Sequence, residues 1–247
     1  MPIEQQSVQS LFIEMYFDQT RLSTGTAFVV SAVRGNALIT NRHNVTGRRQ
    51  DNNQPLSPHG GVPNKIRVWH NAATGLGNWG SIDYPLYDNN DVPLWVEHPV
   101  LGAAADFVAL PIDVPDVATV YPYDLTAPQN GLLIRASDPL SIIGFPFGQA
   151  AGGLFGMWVT GFVASELDID YDAKPIFLID SRTRPGQSGS PVIAARRGMI
   201  HYKNGNINMG GEAVEFLGIY SGRINEQSDL GFVWKRSAIK ELVDTLR

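Results

Sequence analysis

The sequence predicts an all-β protein finished by one C-terminal α-helix, and three observations lead there. Glycine (25) and proline (16) are plentiful, apolar runs are short and bounded by turn residues, and only 17% of residues are charged. Long amphipathic helices would need the opposite of each, so strands joined by tight turns are expected. At 247 residues and 43% apolar content the chain can build a sizeable core, as one large domain or two small ones.

Strand-like segments run from Leu11 to Phe17, Thr26 to Ala32, Asn36 to Thr40, Lys65 to His70 and Asp106 to Pro111. The Pro- and Asp-bearing stretch Ile112 to Asn130 then interrupts the pattern. A second series follows: Leu132 to Arg135, Leu140 to Gly144, Met157 to Ser165, Pro175 to Ile179, Pro191 to Ala195 and Phe216 to Ser221. The chain thus reads as a single domain of two similar β units, about 1–115 and about 131–235, with a terminal segment 236–247. In that segment Ser237-Ala238-Ile239-Lys240-Glu241-Leu242-Val243 has helical apolar spacing, with Ser237 as the expected N-cap. Loops are expected at Arg48 to Asn64 and Asn71 to Asp91, and a turn at Asn204-Gly205.

Several functional classes are set aside. A formal charge of -5 opposes nucleic-acid binding, which needs a clustered basic surface. With no cysteine there are neither disulfides nor thiolate metal sites. Met1-Pro2-Ile3-Glu4-Gln5-Gln6 lacks the basic and apolar regions of a secretory signal, so a cytoplasmic location is expected. Leu140 to Ser165 is uncharged and long enough to span a bilayer, but Pro146 and six glycines cut it into strand-like pieces. No membrane association is expected. Gly75-Leu76-Gly77-Asn78-Trp79-Gly80 spells a dinucleotide-binding fingerprint without the following helix, and is read as a loop. Asp168, Asp170 and Asp172 resemble the start of a calcium loop, but Ala173 replaces its turn glycine and Ile179 its closing glutamate. They are assigned to the polar face of a strand. Asn44-Val45-Thr46 is a glycosylation sequon by spelling alone. No metal or other cofactor is expected.

The chemistry-bearing candidates are a serine, a histidine and a carboxylate. Activating a serine requires a base within hydrogen-bond reach, a carboxylate to orient it, and backbone N–H donors for the developing oxyanion. Ser188 sits in Arg184-Pro185-Gly186-Gln187-Ser188-Gly189-Ser190-Pro191-Val192, where glycines let the N–H groups of Gly186 and Ser188 converge. His43 lies just past the apolar strand ending at Thr40, and Asp106 opens Asp106-Phe107-Val108-Ala109-Leu110. Each alone has a plain structural reading: a loop serine, a hydrogen-bonded histidine, a strand-start carboxylate.

Together, in chain order, these segments resemble the His, Asp and Ser motifs of the chymotrypsin- and trypsin-like serine peptidase family. Thr40-Asn41-Arg42-His43 is similar to its Thr-Ala-Ala-His box, and His98-Pro99 with Asp106-Phe107-Val108-Ala109-Leu110 to its His-Pro and Asp-Ile-Ala-Leu segments. Gly186-Gln187-Ser188-Gly189-Ser190-Pro191 resembles Gly-Asp-Ser-Gly-Gly-Pro, and more closely the form found in bacterial glutamyl endopeptidases. Ile142-Ile143-Gly144-Phe145-Pro146-Phe147-Gly148 is similar to a segment of bacterial HtrA proteases, though no PDZ-like domain accompanies it. The resemblance spans about residues 24 to 235.

It implies two six-stranded antiparallel β-barrels packed side by side, with His43 and Asp106 from the first, Ser188 from the second, and the site between them. It implies a serine endopeptidase acting on protein or peptide substrates through an acyl-enzyme, with Gly186 and Ser188 as the oxyanion donors. A regulatory partner protein or self-association is compatible with it. A protease-like module that binds peptides without cutting them is the alternative. The substrate pocket would map to Arg182, Thr183, Tyr220, Ser221 and Arg223, along with Gly222 and Gly231. Thr183 fits the glutamyl endopeptidase pattern, whereas Tyr220 stands where those enzymes carry histidine. Arg182 and Arg223 could meet an acidic side chain or be solvated loop residues. No carboxylate lies at the mapped base, so cleavage after Lys or Arg is not expected. Gln187 replaces the aspartate that pairs with a new N-terminus in the animal members, so activation without zymogen cleavage is expected.

Overall fold

The computed structural model describes residues 3–57, 59–129, 131–225 and 227–246. After a short helix α1 (Gln5–Gln9), the first β unit comprises β1 (Ser10–Phe17), β2 (Thr20–Ala32), β3 (Gly35–Thr40), β4 (Lys65–Ala72), β5 (Trp79–Pro85), β6 (Val96–Glu97), β7 (Val108–Ile112) and β8 (Ala118–Thr119). A one-turn helix α2 (Arg42–Thr46) follows β3. The second unit comprises β9 (Pro139–Gly144), β10 (Met157–Val163), β11 (Ile176–Asp180), β12 (Pro191–His201), β13 (Ile207–Arg223) and β14 (Leu230–Lys235), and the helix α3 (Arg236–Val243) completes the order.

The second sheet closes as a six-stranded barrel in the order β10-β11-β14-β13-β12-β9. The first runs β5-β4-β1-β2-β3-β7-β6 with β8 against β4, so among the described residues its hydrogen bonding follows a path rather than a ring. Its six longer strands are extended at the margins by two-residue β6 and β8. Every strand-to-strand pairing within the two sheets is antiparallel.

Strands at the seam between the units are buried on both faces, which is why they read as continuous apolar runs. In β2, Ala27 and Val29 point into the first unit's interior, while Phe28 and Val30 point into a cluster shared with the second. β3 divides the same way, with Leu38 inward and Ala37 and Ile39 toward the seam. From the other side β12 contributes Ile193 to the shared cluster and Val192 and Ala194 to its own barrel. The period-2 geometry of a strand makes this division automatic. Ala238, Ile239, Leu242 and Val243 of α3 join the shared cluster, so the helix packs on both units.

Several expectations are corrected. Leu132 to Arg135 forms no strand; only Leu132 bridges, to Tyr202. The expected loop after Asn71 contains β5, which pairs with β4 through a turn carrying Gly75 and Gly77, while Gly80 lies in β5 itself. The β12–β13 hairpin is longer than its apolar stretch, running out to His201 paired with Ile207, and it turns at Asn204-Gly205 as expected. The N-cap of helix α3 is Lys235, two residues earlier than the expected Ser237, with no side-chain cap, so Ser237 lies inside the helix. Asp168, Asp170 and Asp172 lie in exposed turns between β10 and β11, not on a strand. Leu140 to Ser165 holds β9, a loop and β10. Among the described residues no helix is long and apolar enough to cross a membrane.

One buried group ties the first unit's stability to acidity. His70 in β4 is fully buried and 3.1 Å from the Tyr84 hydroxyl, which reaches Asp113 O at 3.3 Å. One arrangement satisfies both contacts: His70 Nε2–H donates to Tyr84 Oη, which donates onward, leaving Nδ1 without a partner among the described residues. Burial disfavours the imidazolium and pushes His70 down to about 4. An unfolded histidine titrates near 6.5, so the stability contribution is complete above that pH and is lost as pH falls from 6.5 toward 4. Urea unfolding of wild type and His70→Gln should therefore diverge. Wild type is expected to lose roughly 2 to 3 kcal/mol more than the variant between pH 7 and 4.5, and equal losses would overturn the assignment.

Candidate active site

The site is built where β3, β7 and the β11–β12 turn meet. His43 is in α2, immediately after β3, where Gly47 at φ 64° ends the helix after one turn. Asp106 lies two residues ahead of β7, not within it, because its chain must bend back toward α2. Asn41 holds that bend: its Nδ2 donates to Asp106 O at 2.5 Å, and both residues are buried.

The Asp106 side chain receives three donors. His43 N donates to Oδ1 at 3.0 Å, His43 Nδ1 to Oδ2 at 2.7 Å, and Ser221 Oγ to Oδ2 at 2.5 Å. A carboxylate that is 2% exposed has no water to solvate it, so these donors are what keep an ionised form tolerable there. They also fix the imidazole: with Nδ1–H committed to Asp106, Nε2 is the nitrogen left to act on a neighbour.

Ser188 sits half-buried in the β11–β12 turn, and its hydroxyl makes no hydrogen bond among the described residues. Its main chain is tied to the first unit instead. Ser188 O accepts from Thr26 N at 3.0 Å and from Asn44 Nδ2 at 3.4 Å, one residue beyond His43. Asn44, spelled as a sequon, is buried in this contact and in another to Thr40 Oγ1 at 3.0 Å.

The carbonyls from Pro185 to Ser188 are all engaged. Pro185 O accepts from Phe147 N at 2.6 Å, Gly186 O from Thr26 Oγ1 at 2.9 Å, and Gln187 O from Ser190 N at 3.0 Å. Among the described residues, Gly186 N and Ser188 N donate to nothing. Glycine makes this possible: Gly186 has φ 93° and Gly189 φ 90°, and a Cβ on either would run into main chain, Phe145 O and Thr26 O respectively. Buried Gln187 is used within the turn, where its Oε1 accepts from Arg184 N at 2.8 Å.

Beside His43 and Asp106 opens a cleft of about 950 Å³, lined on the second-unit side by Ser221, Arg223, Phe232 and Trp234, and by Tyr171 and Lys174 from the β10–β11 loop. The five residues mapped to the substrate pocket separate. Ser221 and Arg223 line this cleft. Thr183 and Tyr220 are buried against each other, their hydroxyls 2.5 Å apart, and Gly231 leaves room for the Tyr220 ring. Arg182 is exposed. Burial pushes the Tyr220 phenol up to about 12, so it stays neutral and able to donate. Ser221 holding the carboxylate was not foreseen, nor were Thr26, Asn41 and Asn44; only their closeness to recognised segments could have pointed to them.

The first β unit thus holds a paired histidine and buried aspartate, and the second carries a glycine-flanked serine whose main chain is bonded to Asn44, next to that histidine. The fold is that of the chymotrypsin-like class of serine peptidase. A family model described as trypsin-like peptidase domain matches residues 25–200. The chain belongs to that family, and is a serine endopeptidase on that ground. Among solved structures, the active form of the Rv3671c protease of M. tuberculosis is similar, with TM-score 0.54 and 16% identity over 96% of this chain and 80% of that one. An inactive form of the same protease gives TM-score 0.52 and 16% identity over 98% of this chain and 89% of that chain. The serine endoprotease from Yersinia pestis gives 0.52 and 14% over 100% of this chain and 69% of its own. Likeness at such identities is one of fold. Comparison with curated proteins gave no match.

The Thr183–Tyr220 pair is testable through stability. Tyr220→Phe leaves the Thr183 hydroxyl buried without its partner, and is expected to cost about 1 to 3 kcal/mol. The urea midpoint at unchanged slope measures this, and a variant as stable as wild type would show the pair to be energetically silent.

Proposed function

We propose that the chain hydrolyses peptide bonds through Ser188 as nucleophile, His43 as general base and then acid, and Asp106 as the group that orients and stabilises the imidazole. The observation carrying this reading is the pairing of His43 Nδ1 with buried Asp106 at 2.7 Å beside a turn whose two amides are left unengaged. Ser188 Oγ attacks the scissile carbonyl carbon while His43 Nε2 takes its proton. The tetrahedral oxyanion is received by the N–H groups of Gly186 and Ser188. Collapse expels the amine, which takes the proton from His43, and leaves an ester on Ser188; water, deprotonated by the same imidazole, hydrolyses it. Serine–histidine contacts are often long in unliganded sites and tighten when substrate arrives, so the unbonded Ser188 hydroxyl is compatible with this role.

No zymogen clip is needed in this scheme. The carboxamide of Gln187 already organises the turn through Arg184 N, so no new α-amino group has to enter to shape it. Mass spectrometry of active protein should find the N-terminus uncut, and an obligatory clip would refute this point. Thr183 and Tyr220 bond each other, and among the described residues no carboxylate is hydrogen-bonded to either, so a P1 peptide library should show no preference for Arg or Lys.

A fluorophosphonate probe tests the central reading, because it reacts only with an activated serine. Wild type should label, and Ser188→Ala and His43→Ala should not. Asp106→Asn, which turns the imidazole toward the wrong tautomer, should lower kcat about 10⁴-fold. Folded wild type that takes no label would favour a peptide-binding module instead.

A further inference from the structure

The amides of Gly186 and Ser188 can serve as an oxyanion site only if the glycine-bearing turn that carries them is held in one orientation. We propose that Thr26 of β2 is the positioning residue that holds it, a role that rests on Ser188 being the nucleophile. Thr26 is fully buried, and it contacts the turn twice. Its N–H donates to Ser188 O at 3.0 Å and its hydroxyl to Gly186 O at 2.9 Å. The two contacts grip the carbonyls on either side of Gln187, so the segment cannot rotate as a whole without breaking one of them.

The hydroxyl has a second task. Having given its one proton to Gly186 O, it accepts at a lone pair from Phe145 N at 3.2 Å. Phe145 begins the turn whose Phe147 N donates to Pro185 O, the carbonyl of the peptide that carries the Gly186 N–H. One oxygen therefore secures the Gly186–Gln187 peptide directly and the Pro185–Gly186 peptide through the Phe145 turn. Thr26 is itself fixed, since its own carbonyl accepts from Thr40 Oγ1 at 2.9 Å, three residues before His43. Thr26 thus links the acid–base side of the site to the oxyanion side, alongside the Asn44 contact to Ser188 O.

A hydroxyl-for-methyl exchange isolates this contribution. Thr26→Val keeps the shape and the N–H bond to Ser188 O but leaves Gly186 O and Phe145 N without partners. The glycine-bearing peptide can then turn to find another donor, taking the Gly186 amide out of line. Misalignment on this scale is expected to cost about 10- to 100-fold in kcat.

Wild type, Thr26→Val and Thr26→Ser are compared by the second-order rate of fluorophosphonate labelling, whose phosphoryl oxygen must enter the oxyanion site. They are also compared by kcat and KM on one fluorogenic peptide taken from the P1 library. The expected result is slowing of at least about tenfold in the valine variant for both labelling and kcat, with KM within about twofold. The serine variant, which retains the oxygen, should stay within about threefold of wild type. A valine variant that labels like wild type, or a serine variant as slow as valine, overturns the proposal. So does a loss expressed in KM alone. If valine prevents folding, Thr26→Ala is measured against Thr26→Ser by the same criteria. Wild type that takes no probe overturns the peptidase reading and this proposal together, whereas labelling that is strong and insensitive to the Thr26 hydroxyl overturns this proposal alone.

Discussion

The structure turns on one buried carboxylate. Asp106 is taken out of water at the seam between two β units, and a charge in that position is tolerable only with donors on every side. The donors come from both units: His43 from the first, Ser221 from the second. Satisfying the carboxylate therefore requires the units to be docked. A single electrostatic need makes imidazole orientation a property of the assembled molecule rather than of either sheet.

The serine side answers to a different constraint, the accounting of backbone polar groups. A tight turn exposes both carbonyls and amides, and a functional turn must point only the amides at substrate. Here each carbonyl from Pro185 to Ser188 is occupied by a donor, supplied by Phe147, Thr26, Ser190 and Asn44. The amides of Gly186 and Ser188 remain because the positive φ of Gly186 and Gly189 brings the chain so close to its neighbours that no side chain fits. The polarity of the turn thus follows from where its oxygens are sent.

What the sequence made legible was whatever has a local signature. The seam strands were recognisable because both faces are apolar, and His43, Asp106 and Ser188 stood out as candidates because each lies in a distinctive short segment. Strand β5 was missed because WGSIDYP is mostly solvent-facing and shows no clean alternation. The outer half of the β12–β13 hairpin carries Arg196, Arg197 and exposed Met199, which hid its strand character. The partners of the site were not legible for a plainer reason. Ser221 and Asp106 are 115 residues apart, Thr26 and Gly186 160, and Asn44 and Ser188 144. Contacts at such separation exist only once the topology is known, so Ser221 read as pocket lining and Asn44 as part of a sequon.

The docking of α3 on the shared cluster has a consequence for the order of events at the ribosome. The helix follows both sheets in the chain, yet Ala238, Ile239, Leu242 and Val243 belong to the core between them. Ser221, which the buried carboxylate requires, also emerges more than a hundred residues after that carboxylate. A nascent chain can fold its first unit while synthesis continues, but it cannot seal the seam until α3 has cleared the exit tunnel. The seam and the Ser221–Asp106 contact across it are thereby completed only after both units have been made.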